Sequence, residues 1–266
     1  MMFRMLLLVA VILVADVIGL VGQELSDGRR VIKHAHNDYL HGRPLLDALD
    51  LGFGSVEADV ILHQGELLVG HTSIEAIFSK KTLEELYLKP LQERVKKNGG
   101  KVLKEQQQFF LLVDLKTEAE STYQAVHEQL EEYADILSVR RDGVWTPGAV
   151  TVVISGSIPV ETMQKQAVCY AGIDGRPGAI ESDLPAHVMP WISTSWSSMF
   201  TWKGKGEMPA EEKEKLRTYV EAAHARKRLV RFWGTPESEV VWKELKEQGV
   251  DLIGGDDLKG IDGVCR

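Results

Sequence analysis

Glu57 and Asp59 are the first residues in this chain from which chemistry can be argued. They stand two positions apart in the apolar segment 55–61, and side chains two apart in a β-strand point to the same face. On a strand buried on both sides, two like charges on one face are costly unless a cation or another partner neutralises them. A bound metal ion is the economical explanation, and a solvated edge strand is the alternative for such a pair standing alone.

Further residues capable of chemistry also follow strand-like segments. His34 follows the apolar pair 31–32, His71 follows segment 66–69, and Asp114 and Lys116 follow segment 109–113. Two histidines, three acids and a lysine suit metal-assisted acid–base catalysis. Each histidine by itself is more easily explained as a hydrogen-bonded or surface residue. The set as a whole favours catalysis if the fold brings the strand ends together.

A (β/α)8 barrel has this property, because side chains at the carboxyl ends of its strands converge on one mouth. Strand-like and helix-like segments alternate along the chain, which predicts the parallel sheet of an α/β protein. The 266 residues, 44% of them hydrophobic, suit one such barrel as a single domain. Nine strand-like segments follow residue 30, so one of them, either 66–69 or 189–193, must be an accessory strand or a loop.

Two helix starts bear on the site. Residues 117–120 have the pattern of a capping box, so Thr117 is expected to cap the helix and to leave Asp114 free to bind a ligand. A later helix is expected to begin at residues 235–236 and to turn Val240 inward.

The amino terminus has the pattern of a secretory signal peptide. Arg4 precedes an apolar segment, residues 5–14, and the signal peptide is predicted to span residues 1–22 with a weak cleavage site. Residues 23–30 are a polar linker, and residues 31–266 form the single domain. This pattern predicts a secreted or periplasmic protein, and an uncleaved membrane anchor is the alternative.

Charge and cysteine content restrict the partners. The formal net charge of −8, with no basic run, argues against binding to nucleic acid and against electrostatic attraction to anionic membranes. Cys169 and Cys265 lack the spacing of a zinc site. They form either one disulfide or a pair of free thiols, with Cys169 expected in a buried strand.

The order of these motifs resembles the glycerophosphodiester phosphodiesterase and phosphatidylinositol phospholipase C-like TIM-barrel superfamily. The motifs are His34, Glu57-x-Asp59, Gly70-His71 and Asp114-x-Lys116. The stretch 34–71 is most similar to the branch typified by altered inheritance of mitochondria protein 6, and residues 114–117 are also similar to the spider sphingomyelinase D branch. The resemblance spans residues 31–257 and implies a phospholipase C-like barrel.

The resemblance also implies roles. Glu57, Asp59 and Asp114 match the family's metal-binding acids, and His34 and His71 match its general acid–base histidines. Ligation by carboxylate oxygens suits one hard divalent cation, Mg²⁺ or Ca²⁺. The implied activity is metal-dependent hydrolysis of a small-molecule phosphodiester, either a glycerophosphodiester or one with a lipid headgroup.

Four further residues are candidates for contact with the substrate phosphate or the cation. Asn37 is either a fourth oxygen ligand or a turn residue, and Lys116 is expected beside the phosphate. Arg231 and Trp233 lie where the family carries a Trp-rich motif. They either bind the phosphate and wall the pocket, or are an outward arginine and a packed aromatic.

Two other functions remain open from the sequence. His34-Ala35-His36 also suits a metal amidohydrolase, although Ser155 and Asp174 stand where that class would place further histidines. A barrel that binds phosphate or lipid without catalysis is the second alternative. Residues 39–44 replace the Pro-Glu-Asn motif of typical glycerophosphodiesterases, so the sequence leaves the physiological substrate open.

Overall fold

The computed structural model describes residues 31–104 and 108–266. The predicted signal peptide, residues 1–22, and the linker, residues 23–30, lie outside these ranges. The strands in chain order are β1 (Ile32–Ala35), β2 (Ser55–His63), β3 (Glu66–Val69), β4 (Phe109–Leu115), β5 (Val139–Arg141), β6 (Val144–Thr146), β7 (Val150–Gly156), β8 (Val168–Cys169), β9 (Ala171–Gly175), β10 (Trp191–Ser195), β11 (Leu229–Trp233) and β12 (Leu252–Gly255).

Eight of these strands form a closed parallel barrel. Its order is β1, β2, β4, β7, β9, β10, β11 and β12, and β12 pairs with β1 to complete the circle. Strand β3 lies antiparallel on β2, with Val60 opposite Val69. The accessory strand is therefore segment 66–69, whereas segment 189–193 contributes to barrel strand β10. Strands β5, β6 and β8 form a small separate antiparallel sheet.

Helices alternate with the barrel strands. They are α1 (Leu46–Asp50), α2 (Ser73–Ser79), α3 (Lys89–Lys97), α4 (Ala119–Glu131), α5 (Val160–Lys165), α6 (Trp196–Met199), α7 (Ala210–Ala225), α8 (Glu239–Glu247) and α9 (Leu258–Cys265). A π-helical segment, Glu84–Leu88, precedes α3, and short 3-10 turns occupy Asp38–Leu40 and Pro177–Ala179. The fold is thus the predicted α/β barrel.

The β9–β10 connection departs from this alternation, since the described residues 176–190 contain a 3-10 turn but no α-helix. Arg228 donates hydrogen bonds to the backbone carbonyls of this connection, which in a helix would accept from backbone amides. Its side chain is buried and donates to the carbonyls of Ala179, Ile180, Ser182 and Leu184 at 2.7–2.8 Å. Buried carbonyls need such donors, so this arginine fixes the loop.

Side-chain alternation divides the barrel interior into an apolar floor and a polar mouth. The floor consists of Ile32, Phe110, Leu112, Val153, Trp191 and Leu252. Two residues further along the same strands, the inward positions become polar, as at His34, Asp114 and Ser155. Because inward-facing side chains recur every two residues, each of these strands contributes first to the apolar floor and then to the polar mouth.

The two predicted helix starts are wrong. Helix α4 is capped by Glu118, whose carboxylate accepts from the amides of Glu120 and Ser121 at 3.1 and 2.8 Å. Thr117 instead accepts from the amide of Leu62 at 3.1 Å, because it lies against the end of β2. Asp114 does not cap the helix either.

Helix α8 begins later than expected. Ser238 caps it, and the helix starts at Glu239. This start turns Trp242 and Leu245 inward and leaves Val240 50% exposed, so the predicted burial of Val240 is wrong.

Cys169 and Cys265 are both free and buried, so the disulfide alternative is wrong. Among the described residues, no helix is long and apolar enough to span a membrane.

Candidate active site

Three carboxylates meet inside the mouth of the barrel. Glu57 and Asp59 project inward from β2, and Asp114 projects from β4, where it is the register partner of Asp59. One oxygen from each lies within 4.8 Å of the others. Within residues 31–104 and 108–266, this is the one group of three or more His, Cys, Asp or Glu side chains arranged to hold a metal ion. The predicted metal ligands are thus brought together.

Asp59 is the centre of this group. Its Oδ2 atom lies 2.7 Å from Nδ1 of His71, 2.9 Å from the hydroxyl of Tyr39 and 3.2 Å from Nζ of Lys116. Its Oδ1 atom is buried and has no hydrogen-bond partner among the described residues. A buried carboxylate oxygen without a partner is costly. The group therefore fits a cation bound through oxygen.

Glu57 is held by a buried arginine and a buried histidine. Nη2 of Arg231 lies 2.5 Å from Oε2 of Glu57, and Nε2 of His34 lies 3.2 Å from the same oxygen. Burial raises the pKa of Glu57, but Arg231 and then His34 outweigh it and hold the pKa well below its usual range. Arg231 therefore points into the barrel, and the outward alternative for this residue is wrong.

His34 is neutral in this setting. Burial, followed by the charge of Arg231, lowers the pKa of His34 to about 4. Its Nδ1 atom lies 2.8 Å from the hydroxyl of Ser55, so Nε2 carries the ring proton toward Glu57 while Nδ1 accepts from the serine.

Lys116 bridges two of the acids. Its Nζ atom lies 3.2 Å from Asp59 and 3.1 Å from Asp114. Burial lowers the pKa of Lys116, but Asp114 and then Asp59 outweigh it, so the net direction is upward and the amine stays charged. Burial raises the pKa of Asp114. With Lys116 and Arg231 as the adjacent cations, the three carboxylates retain an excess negative charge.

His71 lies at the rim, on the hairpin added by β3. Its side chain is 61% exposed, and the bond from Nδ1 to Asp59 orients the ring. Its Nε2 atom makes no hydrogen bond within the part of the chain that the structure describes. The preceding Gly70 permits this placement, because a Cβ there would lie 2.8 Å from the backbone nitrogen of Ala76.

Tyr39 is a site residue that sequence reasoning missed. Its hydroxyl bridges Oδ1 of Asn37, at 3.0 Å, and Oδ2 of Asp59. Asn37 adopts a left-handed backbone conformation, with φ 46°, before the 3-10 turn, and its side chain does not cap that turn. Asn37 is therefore linked to Asp59 indirectly, through the hydroxyl of Tyr39. No local pattern marks Tyr39, because its role depends on a strand 20 residues away.

A second polar network, on the adjacent wall of the barrel formed by β7, β9 and β10, was also missed by sequence reasoning. Asp174 is buried and accepts from the hydroxyls of Ser155, at 2.7 Å, and Ser193, at 2.6 Å. Arg176 completes the network with Nη1 at 2.6 Å from Asp174. Ser155 is the register partner of Asp114, so the two walls adjoin. Ser155 and Asp174, which form these bonds, stand at the positions where a metal amidohydrolase would carry histidines.

A cavity of about 240 Å³ opens beside His34 and Arg231, the two residues that hold Glu57, and none of the three clustered acids lines it. His34, Arg231 and Trp233 are among the residues that line it, and Trp233 is 46% exposed. Trp233 therefore walls a cavity, as one of the two predicted alternatives requires. His36 stands at the same opening and pairs with Asp256 at 2.9 Å.

The fold and the mouth define the class of the protein. It is a closed parallel barrel whose mouth carries two histidines, three clustered acids and two basic residues. The AIM6-like phosphodiesterase domain matches residues 25–170, and the chain belongs to this family.

Two relatives illustrate the family. The altered inheritance of mitochondria protein 6 homolog of Arthroderma benhamiae is 27% identical over 260 residues, which cover 86% of this chain and 82% of that protein. Altered inheritance of mitochondria protein 6 of Saccharomyces cerevisiae is 26% identical over 273 residues, covering 87% of this chain and 68% of that protein.

Solved structures share the fold at low sequence identity. A calcium-dependent phosphoinositol-specific phospholipase C from Pseudomonas sp. has a TM-score of 0.55 at 13% identity, covering 86% of this chain and 89% of that one. A glycerophosphodiester phosphodiesterase from Parabacteroides distasonis has a TM-score of 0.53 at 14% identity, covering 88% and 96%. At this identity the likeness establishes the barrel.

Proposed function

We propose that this chain is a phosphoric diester hydrolase that depends on one divalent cation and acts on a glycerophosphodiester or phospholipid-like substrate. The observation that carries the proposal is the arrangement at Asp59. One oxygen of this buried carboxylate orients His71, and the other has no partner among the described residues. The Asp59 carboxylate also clusters with those of Glu57 and Asp114.

Glu57, Asp59 and Asp114 are the residues that would hold the cation. An all-carboxylate set favours a hard ion, Mg²⁺ or Ca²⁺. When bound, the cation supplies charge stabilisation to the phosphoryl oxygens and to the oxygen that leaves or attacks.

The two histidines are proposed to carry the protons. A hydroxyl oxygen forms a bond to phosphorus as the bond to the leaving alkoxide breaks; one histidine accepts the hydroxyl proton and the other donates a proton to the alkoxide. His71 presents its unbonded Nε2 atom to the mouth, with Asp59 fixing the ring. His34 lines the cavity and starts neutral, with Nε2 donating to Glu57 and Nδ1 accepting from Ser55, so its ring exchanges a proton with the substrate as one of these two bonds opens.

Lys116 and Arg231 are the cations proposed to hold the phosphate. Lys116 lies among the acids, and Arg231 lines the cavity with a buried Nε atom that has no partner among the described residues. A phosphate oxygen accepts readily from such a donor. Trp233 then forms a wall for the part of the substrate beyond the phosphate.

The test is hydrolysis of bis-p-nitrophenyl phosphate by the wild type, Glu57→Gln and His71→Ala, with EDTA or with added Mg²⁺, Ca²⁺ or Mn²⁺. We expect activity that EDTA removes and one cation restores, with a loss of about a hundredfold or more in each variant. Glu66→Gln and His63→Ala are matched controls outside the cluster, and Glu66 is exposed. Wild-type turnover in EDTA, or full turnover in His71→Ala, contradicts the proposal.

Calorimetric titration with Ca²⁺ and Mg²⁺ separates the cation site from catalysis. One binding event that Glu57→Gln weakens, without turnover on any phosphodiester, would instead indicate a binding barrel. A stoichiometric zinc content in the purified protein would favour the amidohydrolase alternative.

We also propose that the protein is exported and that residues 1–22 are removed. The support is the charged and apolar pattern of that segment. Amino-terminal sequencing of the protein recovered outside the cytoplasm tests this, and an intact Met1 would contradict it.

A further inference from the structure

Helix α2 presents a row of large apolar side chains to solvent. Ile74 is 71% exposed, Phe78 is 84% exposed, and Ile77 between them is also exposed. Residues three and four apart lie on the same side of a helix, so the three side chains form one surface. Single exposed apolar residues are ordinary in soluble proteins, but a contiguous patch marks an interaction site.

The buried side of this helix is already accounted for. Ala76 is fully buried against Ile61 of β2 and Leu68 of β3. The helix is fixed in this orientation by a capping box, in which Thr72 and Glu75 exchange bonds at 3.1 and 3.3 Å. The apolar face therefore points outward because of how the helix is anchored.

The patch lies beside the proposed site. Helix α2 begins two residues after His71, which bonds to Asp59. Leu40, another strongly exposed apolar residue, belongs to the turn that carries Tyr39 to the same carboxylate.

We infer that Ile74, Ile77 and Phe78 insert into a zwitterionic phospholipid surface and bring the mouth of the barrel against it. The substrate part of this inference rests on the proposed function, because it makes the phosphodiester a lipid held in its bilayer. Insertion itself does not depend on catalysis.

The charges favour a zwitterionic surface over an anionic one. The chain carries a formal net charge of −8, which opposes attraction to anionic lipid. Lys80 and Lys81 are exposed directly after the helix. They can extend their ammonium groups to headgroup phosphates while the apolar face enters the acyl boundary. Binding should therefore come from hydrophobic burial and change little with salt.

A local fluorescence measurement tests insertion. Because Cys169 and Cys265 are buried, the thiol in Ile77→Cys can be labelled selectively with an environment-sensitive nitrobenzoxadiazole dye while Ile74 and Phe78 remain. Val144→Cys is the matched control. Val144 is 67% exposed on β6, in the connection from α4 to β7, which lies at the opposite end of the barrel.

With phosphatidylcholine vesicles, we expect a blue shift and increased emission at position 77, unchanged by 0.5 M NaCl, and no change at position 144. Equal signals at the two positions would overturn the inference, and so would a response only to anionic vesicles. A shift at position 77 that depends on protein concentration without vesicles would show a second copy on this face and would also overturn it. The label reports its own surroundings, so an anchor elsewhere in the chain does not produce the expected pattern.

Activity gives the second readout. In Ile74→Ser/Phe78→Ser, turnover of phospholipid in vesicles should fall roughly tenfold or more, because two apolar side chains no longer enter the bilayer. Turnover of bis-p-nitrophenyl phosphate should be unchanged, as should both activities in Val144→Ser. Equal loss on both substrates would contradict a surface role. Absence of all turnover in the wild type would overturn the proposed function, whereas the fluorescence result would still decide insertion.

Discussion

Replacing Arg231 with methionine tests the electrostatic core of the site independently of any substrate. Methionine keeps an unbranched apolar stem and removes the guanidinium. Arg231 lies 2.5 Å from Glu57, and both side chains are buried. Removing one partner of a buried ion pair leaves the other charge unpaired and costs about 3–5 kcal/mol. We expect the free energy of unfolding at pH 7 to fall by that amount.

The loss should depend on pH. In the wild type, Glu57 has a lowered pKa, because Arg231 and His34 outweigh burial, so its contribution to stability persists until the pH falls through that low value. Without Arg231, burial raises the pKa of Glu57 above its unfolded value, and the sign reverses. Stability then increases as the carboxyl gains a proton on acidification, so the deficit of Arg231→Met should shrink between pH 7 and pH 5.

The assay is urea unfolding in EDTA at both pH values. The set comprises the wild type, Arg231→Met, Glu57→Gln and the double variant, with Arg226→Met as the control. Arg226 forms exposed pairs with Glu181 and Asp183, so its loss should change the stability little. The reasoning is refuted if Arg231→Met costs no more than Arg226→Met, or if the two single effects simply add in the double variant.

Three other changes give independent tests. Burial raises the pKa of Asp38 to about 6, so the protonated carboxyl stabilises the fold fully below its unfolded pKa, and this stability is lost as the pH rises through 6. Between pH 4 and pH 8, the free energy of unfolding of Asp38→Asn should therefore gain roughly 3 kcal/mol relative to the wild type, as measured by urea unfolding. Arg228→Met removes the donors of the β9–β10 connection and should cost about 3 kcal/mol and speed proteolysis within residues 180–184, whereas equal proteolysis rates would count against that role. Gly70→Ala places a Cβ against Ala76 and should lower stability by about 1–3 kcal/mol, and an unchanged melting temperature would contradict the close approach.

The acids were predictable from the sequence because a strand has a simple period. Glu57 and Asp59 share a face at any register, and a barrel requires that face to point to its interior or to its helices. Residue types then favour the interior, since the floor below them is apolar. Asp114 was expected at the end of the next strand, and the family resemblance implied its role as a ligand, although the argument about Thr117 was wrong in detail.

The network around the acids was not predictable, because it depends on distances across strands. Tyr39 reaches Asp59 from a turn, and Arg176 reaches Asp174 from beyond the end of β9. The predicted helix starts were wrong for a related reason. Thr117 has a capping pattern, but its hydroxyl is taken by the backbone of β2, and this tertiary contact outweighs the local preference.

The hairpin of β2 and β3 divides the site into two parts. His34 and the three acids stand on barrel strands β1, β2 and β4, whereas His71 follows β3, which lies outside the closed ring. The backbone from Glu66 to Ser79 joins His71 to the exposed apolar helix α2, and buried Ala76 anchors that helix on β2 and β3. His71 is therefore the part of the site that a change in this hairpin can alter while the eight strands of the closed ring keep their pairing.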